Sequence, residues 1–313
     1  MPLISIIVPC YNEQESLPIF LKELDNVVHT IAQDDPSVSF EAILIDDGSA
    51  DETIAVMKAE AACNHTYAVR WYSFSRNFGK EAGLFAGLQH AKGDYVATMD
   101  ADMQDPPSLL PQMYKILQTE DYDNVATRRT TREGEPPIRS FCARMFYKII
   151  NRISSADIVD GARDFRLMKR PMVDAIISMG EYNRFSKGIY GWVGFKTKWL
   201  PYVNVNRVAG ETKWSFWSLL LYSIDGIVAF STAPLSIAVL IGIAFLPHRH
   251  TGIHHHPGQN TRLGRPRWRM ALTRLPHFAV WRHATSVPGN HWRISGKGLP
   301  GDQASPHLYH SRV

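Results

Sequence analysis

Four short apolar runs, each ended by a polar cluster and followed by a helical stretch, constrain the fold of this chain more than any other feature of its 313 residues. Leu3 to Val8, Phe40 to Ile45, Val69 to Phe74 and Tyr95 to Met99 have the length and apolar density of buried strands. Helical patterning fills the intervals. It covers roughly Glu15 to Ile31, Asp51 to Ala62 with acids in the first turn, and a stretch ending at His90. Pro106 to Gln118 supplies another helix, with proline near its start. Strands that alternate with helices pair in parallel and bury both faces of their sheet, so the sequence predicts an α/β architecture of βαβ units.

In an open sheet of this kind, ligands bind beyond the carboxyl ends of the strands. Every polar cluster falls there: Pro9-Cys10-Tyr11-Asn12-Glu13, Asp46-Asp47-Gly48-Ser49, Ser75-Arg76-Asn77-Phe78-Gly79-Lys80 and Asp100-Ala101-Asp102-Met103-Gln104-Asp105 each follow a strand. One such turn alone is ordinary helix-capping chemistry. Four at equivalent positions point to a shared cleft.

Asp100 and Asp102 are two residues apart, so at a strand end both carboxylates leave on one side, a place to hold a divalent cation. Hard oxygen ligands suit Mg2+ or Mn2+, which keep coordination positions open for the oxygens of a diphosphate. Other phosphate cradles are missing, since no Gly-x-Gly-x-x-Gly follows the first strand and no Gly-x-x-x-x-Gly-Lys-Ser/Thr occurs. Gly79, Gly83 and Gly87 recur every four residues, which marks a helix packed closely on its neighbour rather than a phosphate loop.

An apolar content of 45% supports a sizeable core. Cys10, Cys63 and Cys142 have neither metal-cage nor disulfide spacing, which fits a reducing cytosol. Pro2 to Pro9 lacks the basic flank and cleavage site of a secretory signal. The net charge of +4 conceals a break: residues 247–313 hold ten basic side chains, a single acid (Asp302) and ten of the 13 histidines, whereas residues 1–246 hold 24 basic and 29 acidic groups.

The ordered set Val8-Pro9-x-Tyr11-Asn12-Glu13, Asp46-Asp47-Gly48-Ser49, Ser75-Arg76-Asn77-Phe78-Gly79-Lys80-Glu81 and Asp100-Ala101-Asp102-Met103-Gln104-Asp105-Pro106 resembles family 2 glycosyltransferases of the GT-A fold, whose sheet is Rossmann-like and mostly parallel. Asp164-Phe165-Arg166-Leu167-Met168, Trp192-Val193-Gly194-Phe195-Lys196 and Arg207-x-Ala209-Gly210-Glu211-Thr212-Lys213-Trp214 extend the likeness toward the polyprenyl-phosphate branch, which includes bactoprenol glucosyltransferases and dolichol-phosphate mannose synthases. The resemblance covers about residues 3 to 246. It implies an inverting transfer of a hexose, glucose by preference, from a UDP-sugar to a polyprenyl (undecaprenyl) phosphate at the cytosolic face of the cytoplasmic membrane.

By the same resemblance, Pro9, Tyr11, Glu13, Asp46, Asp47, Lys80 and Asp100 would bind the nucleotide sugar, and Asp100, Asp102 and Gln104 would hold Mg2+ or Mn2+. Asp164, Asp102 and Arg128 would be catalytic, with Asp164 kept ionised by Arg163 and Arg166. Arg128, Arg129, Arg139 and Arg144, with Arg132, form a cationic track suited to the acceptor phosphate. Transfer of mannose or an aminosugar to the same lipid, or transfer to a polysaccharide, is the alternative within enzymes, and an inert membrane-surface protein is the alternative outside them. No nucleic acid is among the expected partners, and the sequence leaves monomer and homo-oligomer open.

The expected organisation is a catalytic domain over 1–213, an amphipathic juxtamembrane segment over 214–231, a partial transmembrane helix over 232–246 and a tail over 247–313. Trp192, Phe195, Trp199, Trp214, Phe216 and Trp217 mix with Lys187, Lys196, Lys198, Arg207 and Lys213 as interfacial segments do, with aromatic core packing as the competing reading. Ile227 to Leu246 is uncharged and roughly one membrane span long, though Ser231, Thr232 and Pro234 weaken its first third. Past Leu246 the resemblance stops abruptly. A basic tail on anionic lipid, a metal site at His254 to His256 and translation out of frame compete there. The third is favoured, because three adjacent imidazoles without a folded second shell make a poor metal site.

Overall fold

The computed structural model of the chain describes residues 1–130, 161–181 and 184–202 throughout, together with 145, 148, 150–152, 159, 223–224, 226–232, 235–243 and 308–309. Two compact units are present, Met1–Ile237 with Gln303–Val313, and Ala238–Asp302. Of the second, the described residues are 238–243, which are helical.

The first four strands form in the predicted order: β1 (Leu3–Cys10), α1 (Ser16–Asp34), β2 (Ser39–Asp46), α2 (Thr53–Ala62), β3 (Ala68–Phe74), α3 (Lys80–His90) and β4 (Tyr95–Thr98). A 3-10 turn at Pro107–Leu109 leads into α4 (Leu110–Thr119), and β5 (Asn124–Arg129), β6 (Ala162–Lys169), α5 (Arg170–Ser178), α6 (Ser186–Trp192) and β7 (Thr197–Tyr202) follow. Leu308–Tyr309 forms a two-residue β8 on the outer edge of β3. The sheet order is β7-β5-β6-β4-β1-β2-β3-β8.

Period-two alternation splits the strand residues between two cores. Ile4, Ile6, Val8 and Leu44 join Leu17, Phe20 and Leu24 of α1 and Met113 of α4, while Ile7, Ile43 and Ile45 join Ala86 and Leu88 of α3 on the opposite face. The four-residue glycine spacing serves the second face. A methyl group on Gly87 would lie 2.1 Å from Ile7 Cγ2 and one on Gly83 would lie 3.3 Å from Pro9 Cβ, so α3 rests almost directly on β1. Gly79 departs from this pattern: it precedes the helix, with φ of 93° and open space around its Cα.

One expectation needs correction and two are refined. The sheet is mostly parallel, as the family resemblance implies: β1 pairs in parallel with β2 and β4, and β2 with β3, while β6 runs antiparallel to both β4 and β5. It enters after a long excursion from β5 rather than through a βαβ crossover. Acids do not occupy the first turn of α2, which begins at Thr53; Asp51 lies ahead of it and accepts from the Thr53 N–H at 3.0 Å and its hydroxyl at 2.5 Å. The partial transmembrane helix expected over 232–246 lies in part outside the described residues, which end there at 243. The chain is helical at 226–230 and 235–243 with a break at Ser231 and Thr232. Among the described residues no helix is long and apolar enough to cross a membrane.

Candidate active site

The sheet order reverses at β1: the chain steps outward through β2 and β3, then returns to place β4 on the other side of β1. That reversal opens a crevice between the carboxyl ends of β1 and β4, the position where open α/β sheets take ligands. Pro9 to Glu13 leaves one lip and Asp100 to Asp105 the other.

The antiparallel β6 completes the crevice from a distant part of the chain. Thr98 pairs with Arg166, so two residues further along the same register Asp100 comes opposite Asp164. Thr98 Oγ1 also donates to the Asp164 carbonyl, which fixes that backbone. Lys80, the first residue of α3, reaches both carboxylates: its Nζ lies 2.7 and 2.8 Å from the two oxygens of Asp100 and 2.6 Å from Asp164 Oδ2. Burial works against charge on Lys80, but Asp100 and Asp164 outweigh it and raise the ammonium above the ordinary lysine range. For Asp164 burial pushes upward, and Lys80 then Lys187 overcome it and hold the carboxyl far below the usual range.

Asp47 sets where Lys80 starts. Its carboxylate accepts from the backbone N–H of Phe78 at 2.7 Å and of Gly79 at 2.9 Å, anchoring the loop that ends at Lys80. Gly48 has φ of 65°, and a methyl group there would meet the Arg76 carbonyl carbon at 2.3 Å, so the two loops touch backbone to backbone. Asp46, fully buried, accepts from Ser49 N–H at 3.1 Å and the Ser73 hydroxyl at 2.7 Å. On the β1 lip, Asn12 adopts φ of 53°, its N–H donates to Ser49 Oγ at 2.9 Å and its side-chain oxygen accepts from Ala50 N–H at 2.8 Å. The Glu13 N–H donates to Thr53 Oγ1 at 2.8 Å. Turns that are far apart in sequence are thereby stitched into one rim.

A clamp holds the acidic loop after β4. Asp105 is 1% exposed; it receives Arg163 Nε at 2.9 Å and the hydroxyl of Tyr202 at the end of β7. Arg163 also reaches Gln104 Oε1 at 3.4 Å, and Gln104 N–H donates to Asp102 Oδ1 at 3.1 Å. Met103 takes a left-handed φ of 61° at the centre of this loop.

A family model described as Glycosyl transferase family 2 matches residues 5–177. The chain belongs to that family. This family 2 glycosyltransferase is 42% identical over 245 residues to the glycosyltransferase CsbB of Bacillus subtilis (strain 168), covering 78% of this chain and 71% of that one. It is 40% identical over 240 residues to the prophage bactoprenol glucosyl transferase homolog of Escherichia coli (strain K12), covering 77% and 76%. It is 39% identical, over the same length and shares, to the bactoprenol glucosyl transferase of Shigella phage SfV.

Of the residues expected from sequence, Lys80, Asp100 and Asp164 meet directly. Tyr11, 36% exposed, stands on the same rim as Pro9 and Glu13. Asp46 and Asp47 bind the protein's own turns, as given above. Arg128 is exposed and Arg129 partly buried at the end of β5, where Arg129 N–H donates to the Gly161 carbonyl at 3.0 Å. Arg132, Arg139 and Arg144 lie outside the described residues, as does the aromatic stretch from Trp214 to Trp217. Arg163 and Arg166 both act on Asp164 electrostatically, but the cation in direct contact with it is Lys80. Arg166 is 2% exposed, its guanidinium stacks 3.5 Å from the Tyr190 ring centroid and it donates to the Arg163 carbonyl at 3.1 Å. The clamp was missed: Asp105 belongs to a motif and Arg163 adjoins one, but nothing in the sequence pairs them with Tyr202.

The donor chemistry around Asp100 fits a divalent ion. Its carboxylate is 20% exposed, rich in hard oxygen and already turned to a cation, the Lys80 ammonium. Among the described residues no three carboxylate, imidazole or thiolate groups form a ready-made cage. Asp100 and Asp102, with Gln104 beside them, would thus supply only part of a coordination shell and leave the rest to ligand oxygens.

Proposed function

We propose that this glycosyltransferase moves a hexose, glucose by preference, from a UDP-sugar to a polyprenyl phosphate of the undecaprenyl type presented at the cytosolic face of a membrane. The observation that carries the reading is the convergence of Asp100, Lys80 and Asp164 at the β1/β4 crevice, in a chain about 40% identical to proteins named bactoprenol glucosyl transferase. In this reading Pro9, Tyr11 and Glu13 receive the nucleoside, and the aromatic face of Tyr11 suits a stacked base. Asp46 and Asp47 build the turns that shape this pocket.

Asp100 and Asp102 would hold Mg2+ or Mn2+, with Gln104 alongside; when bound, the ion supplies positive charge to the departing nucleoside diphosphate. Asp164 remains ionised and orients a sugar hydroxyl at the reacting carbon. The acceptor phosphate, with a second pKa of about 6, is already anionic at neutral pH and needs placement more than deprotonation. Arg128, Arg129, Arg139 and Arg144 are the side chains offered for that placement. A single displacement inverts the anomeric centre, turning an α-linked donor into a β-linked lipid product.

The test is a purified full-length chain incubated with Mn2+, a short polyprenyl phosphate and, in separate reactions, UDP-glucose, UDP-N-acetylglucosamine and GDP-mannose. Sugar-lipid from UDP-glucose with β configuration is the expected result, and Asp100→Asn should lower its rate roughly 10²- to 10³-fold. Product from GDP-mannose alone would reassign the donor, and an α-linked product would exclude single displacement.

A further inference from the structure

Lys80 is placed by its neighbours rather than by its own flexibility. The N–H groups of Phe78 and Gly79 are tied to Asp47, so α3 begins at a fixed point over the crevice. From there the ammonium bridges two carboxylates 64 residues apart in sequence, on β6 and on the loop after β4. With Asp100 it lies within 2.8 Å of both oxygens; with Asp164 it meets one, at 2.6 Å. The oxygens that suit a divalent ion at Asp100 are therefore the ones Lys80 engages.

We propose that Lys80 is an internal cation that competes with divalent metal for Asp100, and that on metal binding it gives up Asp100 and stays on Asp164. The proposal rests on the metal reading given above. Without metal, one ammonium keeps two carboxylates from repelling each other and the crevice stays assembled. With metal, Lys80 cannot remain against the same oxygens, since two cations at that spacing repel. Asp164 is the alternative partner already in contact. Lys80 thus weakens metal binding in the empty enzyme and makes Asp164 matter to the metal without being a ligand.

The experiment is Mn2+ titration of the full chain followed by electron paramagnetic resonance, without nucleotide, on the wild type, Lys80→Met, Asp164→Asn, the double variant and Asp100→Asn, each checked for folding by its thermal melt. Lys80→Met should bind Mn2+ tighter by roughly tenfold or more, the size expected for losing a competing charge-assisted contact. Asp164→Asn, which leaves Lys80 only Asp100 to hold, should bind more weakly, and in the Lys80→Met background the same change should have no effect. If Lys80→Met does not fold, Lys80→Gln takes its place with the same expectation. Wild-type affinity in the folded Lys80 variant, alongside lost binding in Asp100→Asn, overturns the competition and leaves the metal reading standing. Unchanged Mn2+ binding in Asp100→Asn overturns the metal placement itself.

Discussion

At the scale of single residues, the site is a set of buried and half-buried charges each held by a partner, and Asp47 is the one whose charge state the fold alters most legibly. Burial pushes its carboxyl from the ordinary 3.8 up to about 6, against the pull of the Phe78 and Gly79 N–H groups. Between those values the unfolded chain is ionised at this position while the folded chain keeps the proton. Folding therefore takes up a proton, and stability from this group is full below about pH 3.8 and lost as pH rises through about 6. Asn at position 47 carries no such dependence. The melting temperature of wild type minus that of Asp47→Asn should shrink as pH rises from about 4 to about 7; a gap constant over that range would remove the effect. Much of this scale was accessible from sequence, since Asp47, Lys80, Asp100 and Asp164 all stand in motifs. Their pairings were not, because Lys80 and Asp164 lie 84 positions apart and Asp164 stands on β6, a strand that the apolar pattern does not mark.

At the scale of elements, periodicity was a reliable guide to the four parallel strands and not to β6. The four strand runs and their helices formed where apolar residues and polar turns placed them. β6 escaped because Ala162–Lys169 carries Arg163, Asp164, Arg166 and Lys169, a pattern with little of the buried-strand signature that β1 and β2 show. Its charges are tolerated because Arg163 meets Asp105, Asp164 meets Lys80 and Arg166 stacks on Tyr190. The glycine repeat was read correctly for Gly83 and Gly87 as close helix packing. This makes a graded prediction: Gly87→Ala must displace α3 from Ile7, costing roughly 1–3 kcal/mol, whereas Gly83→Ala meets Pro9 at 3.3 Å and should cost less. Because Lys80 opens the same helix, Gly87→Ala should also lose activity beyond what its stability predicts. Denaturant melts and initial rates of the two variants, measured together, check both points.

At the scale of the whole chain, the candidate site is assembled from residues that all precede the C-terminal stretch in sequence. Pro9, Lys80, Asp100 and Asp164 all lie within residues 1–202, and their connections to one another run through β1, β2, β4, β6 and β7. Residues past 246 touch that sheet, among the described residues, through Leu308–Tyr309, which pairs with Ser73 and Phe74 on β3. β8 and β3 are separated from the β1/β4 crevice by β2. The curated relatives named above align over 240 or 245 residues, a length that accords with a tail lying outside the family pattern. A chain ended after Leu246 should therefore bind UDP in the presence of Mn2+ with the affinity of the full chain, measured by titration calorimetry. Its melting temperature should fall only slightly, since the two-residue strand leaves β3 with an uncovered edge. Loss of UDP binding would show instead that the basic, histidine-rich tail helps build the donor site, and the tail could not then be dismissed as sequence read out of frame.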